Sequence, residues 1–121
     1  MTTLIDSDTY PVTAEAIVRY AGASGDFTPI HYDQDVLAAA GYDRFFAMGM
    51  LVAGRLGALV ARTFGDEAVR DFAVRFRERS WVGTEVTVTM SETDEVDVVA
   101  LEARTGTGDL VATGSARVTR R

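Results

Sequence analysis

From Met48 to Phe64 the chain carries only two charged side chains, Arg55 and Arg62, among leucine, valine, methionine, alanine and glycine. A helix on a protein surface shows a polar face opposite its apolar stripe, and this segment offers none. The pattern predicts a central helix enclosed by the rest of the fold, its small residues letting neighbouring chain approach closely. Gly65 and Asp66 end it. The wider apolar stretch, Phe45 to Val60, is broken by Arg55 and contains three glycines, so it is too short and interrupted to cross a bilayer. What covers such a helix must come from the remaining sequence.

Beyond Val69 the hydrophobic period changes to two. Phe72, Val74 and Phe76 alternate with Ala73, Arg75 and Arg77, and Val86, Val88 and Met90 alternate with Glu85, Thr87 and Thr89. The run 96–103 is apolar on both sides in places and predicts an inner strand. Leu110, Ala112, Gly114, Ala116 and Val118 form one face of the last strand. The short connections at Gly83-Thr84, Glu92 to Glu95 and Gly106 to Asp109 predict antiparallel pairing. Before the central helix, Thr13 is a candidate N-cap for a helix burying Ile17, Val18 and Ala21. Asp33 is a candidate N-cap for a short helix burying Val36, Leu37 and Ala40 and stopping at Gly41. Residues 22–32 read as a loop. Helices followed by four antiparallel strands define an α+β domain over residues 1–121, a curved antiparallel sheet wrapped around one central helix.

Composition narrows the chemistry further. The 121 residues contain no cysteine and one histidine, His31, which excludes disulfides, thiolate chemistry and a multi-histidine metal site. All twelve basic residues are arginine, so no lysine is present for a Schiff base. A net charge of -6 argues against non-specific nucleic-acid binding. Residues 1–12 carry Asp6 and Asp8 and lack the basic start and apolar run of a signal peptide, so the expected location is cytoplasmic. Neither a metal nor a cofactor is expected, and neither is a membrane or nucleic-acid partner.

Chemistry concentrates between Tyr20 and Asp33. A carboxylate, Asp26, and the single imidazole, His31, stand five residues apart in a loop stiffened by Pro29. An Asp–His pair converging on one water or hydroxyl can give a proton from one member while the other takes one. Burial beside Phe27 and Ile30 would raise the Asp26 pKa and lower that of His31. On spacing alone, a turn-forming aspartate and a hydrogen-bonded loop histidine are the commoner roles.

The segment Tyr20, Ser24-Gly25-Asp26-Phe27-Thr28-Pro29-Ile30-His31-Tyr32-Asp33, continuing through Ala39-Ala40-Gly41-Tyr42 to Ala47-Met48-Gly49-Met50-Leu51, closely resembles the signature of the MaoC-like, or hydratase-2, family of hotdog-fold enzymes. That signature runs Ser-Gly-Asp-x-Asn-Pro-x-His-x-Asp and later Ala-His-Gly-Met-Leu. The resemblance covers about residues 14 to 60 and implies a single hotdog domain. It also implies (R)-specific hydration of trans-2-enoyl thioesters, or dehydration of (R)-3-hydroxyacyl thioesters, carried by coenzyme A or an acyl carrier protein. Asp26 and His31 match the catalytic pair, and the Gly49 backbone N–H matches the oxyanion donor. A helix N-terminus suits that last role physically, because its first N–H groups are unpaired. Ser24, Thr28, Pro29, Phe45, Met48 and Met50 are the further candidates for contact with substrate.

Two positions depart from the signature. Thr28 stands where an asparagine is usual, and Met48 replaces a histidine with a flexible apolar side chain near the expected pocket mouth. The departures leave two other readings open: a relative catalysing another conjugate addition or a cyclisation in polyketide-type metabolism, or a non-catalytic hotdog subunit of a heteromeric dehydratase. Arg70, Arg75, Arg77 and Arg79 form a cationic run that suits the phosphates of a phosphopantetheine carrier, though a solvated strand face is the commoner origin of such a run. Phe45 and Phe46 suit either an acyl tunnel or the core, and Trp81 either a subunit contact or a cap on the sheet. A sheet of this size leaves an edge open, so a homodimer is expected, with a heteromer containing a second hotdog subunit as the alternative.

Overall fold

The computed structural model describes residues 3–119; the outermost positions of the expected 1–121 domain lie outside the described residues. The elements run β1 (Leu4–Pro11), α1 (Ala14–Ser24), a 3₁₀ turn (Pro29–His31), α2 (Gln34–Ala39), α3 (Gly49–Phe64), a second 3₁₀ turn (Asp66–Ala68), β2 (Val69–Phe76), β3 (Glu85–Glu92), β4 (Val98–Thr105) and β5 (Leu110–Val118). The five strands form one antiparallel sheet in the order β1-β3-β4-β5-β2, with β4 innermost as its two-sided apolar pattern requires. Helix α3 packs against all five strands, so the sheet curves around it.

The core lies between that helix and the inner face of the sheet. Leu51, Val52, Leu56, Leu59 and Val60 of α3 meet Val86, Val88 and Met90 of β3, Val99 and Leu101 of β4, and Val111, Ala116 and Val118 of β5. Full burial of a leucine or valine contributes roughly 1.5–3 kcal/mol, so this layer is the main support of the fold. The helix is enclosed on one side only. Met50, Gly54, Arg55 and Ala58 remain exposed, because a single curved sheet cannot cover the whole circumference.

Several elements differ from the sequence-based expectation. A fifth strand, β1, pairs with β3. Its sequence gives no apolar alternation because it is an edge strand, with Tyr10 its one buried residue. Helix α1 begins behind the predicted cap, with Thr13 Oγ1 accepting the Ala16 N–H at 3.0 Å, but it extends to Ser24 and leaves Val18 63% exposed. In α2 the Asp33 cap is as predicted, yet Leu37 alone is buried while Val36 and Ala40 face outward. Phe72 and Phe76 lie 40% and 48% exposed, since β2 is the opposite edge of the sheet. Between β4 and β5 the register shifts from Ala103 opposite Ala112 to Arg104 opposite Leu110, so the extra residue Val111 is buried beside Ala112 and Leu110 only partly so.

Candidate active site

Gly25, at φ 79, adopts the left-handed conformation that ends α1 and turns the chain toward Asp26. The following loop is held by its own side chains. The Asp26 N–H donates to Ser24 Oγ at 3.1 Å, and Asp26 Oδ1 accepts both the Thr28 hydroxyl at 2.6 Å and the Thr28 N–H at 3.2 Å. The Thr28 hydroxyl, then its N–H, hold the Asp26 carboxyl below its ordinary value; slight desolvation opposes them and the charge of His31 assists. The direction is opposite to the one expected from burial. Phe27 is 59% exposed and encloses nothing, so hydrogen bonding outweighs desolvation.

Pro29 opens the 3₁₀ turn that ends on His31, with the Asp33 N–H returning to the Pro29 carbonyl at 2.7 Å. The His31 ring is fixed from outside its own loop. Its Nδ1 lies 2.9 Å from the Phe46 carbonyl oxygen, and the Phe46 ring packs edge-on against it at 5.3 Å. A carbonyl can only accept, so Nδ1 carries the proton and Nε2 is left to act as base when neutral or acid when charged.

The segment Phe46–Ala47 leads into α3 through Met48. The first N–H groups of any helix lack intrahelical partners, and Met48 supplies no side-chain cap. Gly49 therefore offers its N–H beside His31, in the wall of one cavity of about 280 Å³ that also includes Phe46, Val52, Phe76, Arg77, Glu78, Arg79, Ser80 and Val111. A Cβ on Gly49 would meet the Phe76 ring at 3.2 Å, so glycine here also accommodates the packing of an aromatic ring across the helix start. A larger hollow of about 830 Å³ lies at the other end of α3, between Thr63 and Thr119, but it lacks an imidazole and is not the candidate site. Among the described residues no group of three or more histidine, aspartate or glutamate side chains is arranged to hold a metal ion.

The site residues expected from sequence divide into two sets. Asp26, His31, Ser24, Thr28 and Pro29 lie on one connected loop, but of these only His31 lines the cavity, where Gly49 joins it; Asp26, Ser24, Thr28 and Pro29 stand outside its wall. Phe45 does not line the cavity; its carbonyl accepts the Val82 N–H at 2.9 Å, and its neighbour Phe46 takes the place beside His31. Met48 is 2% exposed in the core instead of at the pocket mouth, while Met50 is 60% exposed and outside the cavity. The arginine run separates too. Arg70 bonds Thr119 at the far hollow and Arg75 stays exposed, whereas Arg77 and Arg79 lie past β2 in the cavity wall. The Arg79 guanidinium lies over Tyr42 and Phe46 at 4.9 and 5.2 Å, and Trp81 completes that aromatic cluster. Ser80 and Val111 had no local sequence signal, because pairing between distant segments brings them to the cavity.

Residues 2–115 match the family model described as MaoC like domain. A curated relative, the mitochondrial 3-hydroxyacyl-[acyl-carrier-protein] dehydratase of Arabidopsis thaliana, is 27% identical over 79 residues, 65% of this chain and 48% of that protein. The chain thus spans about half the length of the curated relative it matches. The (R)-hydratase from A. caviae involved in PHA biosynthesis has a similar structure, with a TM-score of 0.79 and 25% identity over 96% of this chain and 93% of that one. R-hydratase PhaJ1 from Pseudomonas aeruginosa gives 0.81 at 20% identity, covering 98% and 81%. The ChsH1-ChsH2 complex from Mycobacterium tuberculosis gives 0.81 at 18%, covering 99% and 97%. The fold shared with these structures is the hotdog fold, a curved antiparallel sheet around a helix.

Proposed function

Because the chain belongs to the MaoC-like domain family, we propose that it catalyses (R)-specific hydration of trans-2-enoyl thioesters or the reverse dehydration of (R)-3-hydroxyacyl thioesters. The observation that carries the reading is the bond between His31 Nδ1 and the Phe46 carbonyl. It leaves Nε2 as the working nitrogen in a cavity that also contains the start of α3. Asp26, held as a carboxylate by Thr28, is in the form that accepts a proton from water. In hydration, water loses a proton to Asp26 and its oxygen bonds the β-carbon. The π electrons move onto the thioester carbonyl, and protonated His31 then delivers a proton to the α-carbon. The Gly49 N–H donates a hydrogen bond to the carbonyl oxygen on which transient negative charge gathers. Dehydration reverses each step, with His31 taking the α-proton and Asp26 protonating the leaving hydroxyl.

Arg77 and Arg79 supply positive charge at the same cavity in a protein of net charge -6, which suits a thioester carried on phosphopantetheine, whether coenzyme A or an acyl carrier protein. The functional unit is a homodimer joined through β2. Edge strand β1 is protected by charge, with Asp6 held by Arg62 at 2.9 Å, whereas β2 presents the half-exposed rings of Phe72 and Phe76. The test mixes purified protein with trans-2-butenoyl-CoA and follows the conjugated thioester absorbance. The reading requires its loss and formation of the (R)-3-hydroxy product; an (S) product, or no turnover of CoA- or carrier-bound enoyl chains of any length, would contradict it.

A further inference from the structure

Two buried side-chain hydroxyls among the described residues have no hydrogen-bond partner, those of Tyr10 and Ser80. Tyr10 lies in β1 beneath the Arg55 guanidinium, 4.4 Å from its ring centre, and away from the cavity. Ser80 is 2% exposed and forms part of the cavity wall with His31 and Gly49. A buried hydroxyl without a partner costs stability, and alanine would occupy the same place without that cost. An orphaned hydroxyl in the wall of a reaction cavity is accounted for if a ligand completes it.

The backbone indicates which part of the ligand. Segment 45–47 runs antiparallel to segment 80–82, with Phe46 bridged to Trp81, the Ala47 N–H donating to the Ser80 carbonyl and the Val82 N–H to the Phe45 carbonyl, both at 2.9 Å. One short ladder therefore positions three groups. The Phe46 carbonyl fixes the His31 ring, Ala47 anchors Ser80, and two residues beyond Ala47 the chain opens α3 at Gly49. Ser80 is thus tied to the helix start, while Asp26 belongs to the separate loop that handles protons.

We propose that Ser80 is a second oxyanion donor, its Oγ–H joining the Gly49 N–H on the carbonyl oxygen of the bound thioester. The inference rests on reading the cavity as an enoyl-thioester site. A serine hydroxyl moves among three staggered χ1 positions, so it can turn from its closed-off place toward an oxygen arriving at the helix start. Negative charge gathers on that oxygen as the enolate forms, and a hydroxyl that has turned to the carbonyl on substrate binding is in position before that charge develops.

The test is Ser80→Ala. The expected result is a fall in kcat of about a hundredfold, the scale of losing one oxyanion donor, with KM nearly unchanged and Tm equal or higher. A merely structural serine gives the opposite pattern, a lower Tm with kcat intact, and that overturns the proposal. A raised KM with unchanged kcat also overturns it, since the contact would then lie elsewhere on the substrate. Ser80→Cys, which keeps a weak donor, should fall between wild type and alanine. A second measurement is independent of turnover: the infrared carbonyl stretch of bound butyryl-CoA labelled with ¹³C at the thioester carbon. It should lie at lower frequency in wild type than in Ser80→Ala, and equal frequencies overturn the proposal. If wild type turns over no enoyl thioester, the functional reading fails and the infrared comparison still decides the role of Ser80; absence of acyl-CoA binding overturns both.

Discussion

Asp26 and Thr28 show how a local substitution can preserve a site. The sequence signature places asparagine where this chain has threonine, and the Thr28 hydroxyl and N–H both donate to the same carboxylate oxygen. Thr28→Ala removes the 2.6 Å bond, so the Asp26 pKa should rise toward its ordinary 3.8, as carboxyl NMR titration will measure. The sign for stability follows: a depressed folded pKa contributes stability that is complete above 3.8 and is lost as pH falls through the lower folded value. Thr28→Ala, with its carboxyl near 3.8 in both states, should lack this contribution, so its stability should fall less steeply than that of wild type as pH drops below 3.8. The Asp26–His31 loop was legible in the sequence because its elements are adjacent along the chain. The pKa direction was not, since it depends on whether Phe27 covers the carboxylate, which adjacency does not decide. Ser80 was illegible for the same reason, because its neighbour in space is Ala47.

A strong hydrophobic period marks the elements of the core, and the signal weakens in elements with one exposed face. Strand β3 buries what its pattern predicts, and β4 is the inner strand but starts at Val98, leaving Val96 82% exposed; helix α3, expected to be enclosed, is covered on one side only. Strand β1, whose polar sequence rests on pairing with β3, gave no signal, and the Phe72–Phe76 face of β2 lacks the cover that its alternation implied. Close approach between strands gives the sharpest test at this scale. A Cβ on Gly114 of β5 would stand 2.5 Å from the Ala73 carbonyl oxygen of β2, too near for any side-chain carbon, and backbone cannot yield cheaply. Gly114→Ala should destabilise the protein by about 1–3 kcal/mol, the range for overpacking, read as a lower urea midpoint. An unchanged midpoint would mean that β2 and β5 pair less closely than described.

At the scale of the molecule, the sequence predicted a curved sheet around a central helix, and the fold agrees except where a single chain leaves surface uncovered. The open side of α3 and the exposed rings along β2 share one physical origin: one sheet cannot close around a helix. A homodimer should therefore sediment at twice the 13.1 kDa chain mass, and Phe72→Glu, which places charge on the edge face, should shift it toward the single chain. A wild-type monomer at micromolar concentration would contradict the β2 interface. The proposed proton transfers rest on two side chains, Asp26 and His31. Steady-state hydration of trans-2-butenoyl-CoA should be slower by at least about a hundredfold in both Asp26→Asn and His31→Ala, as expected for loss of a general acid–base group. Wild-type rates in both variants would show that proton transfer belongs to other residues.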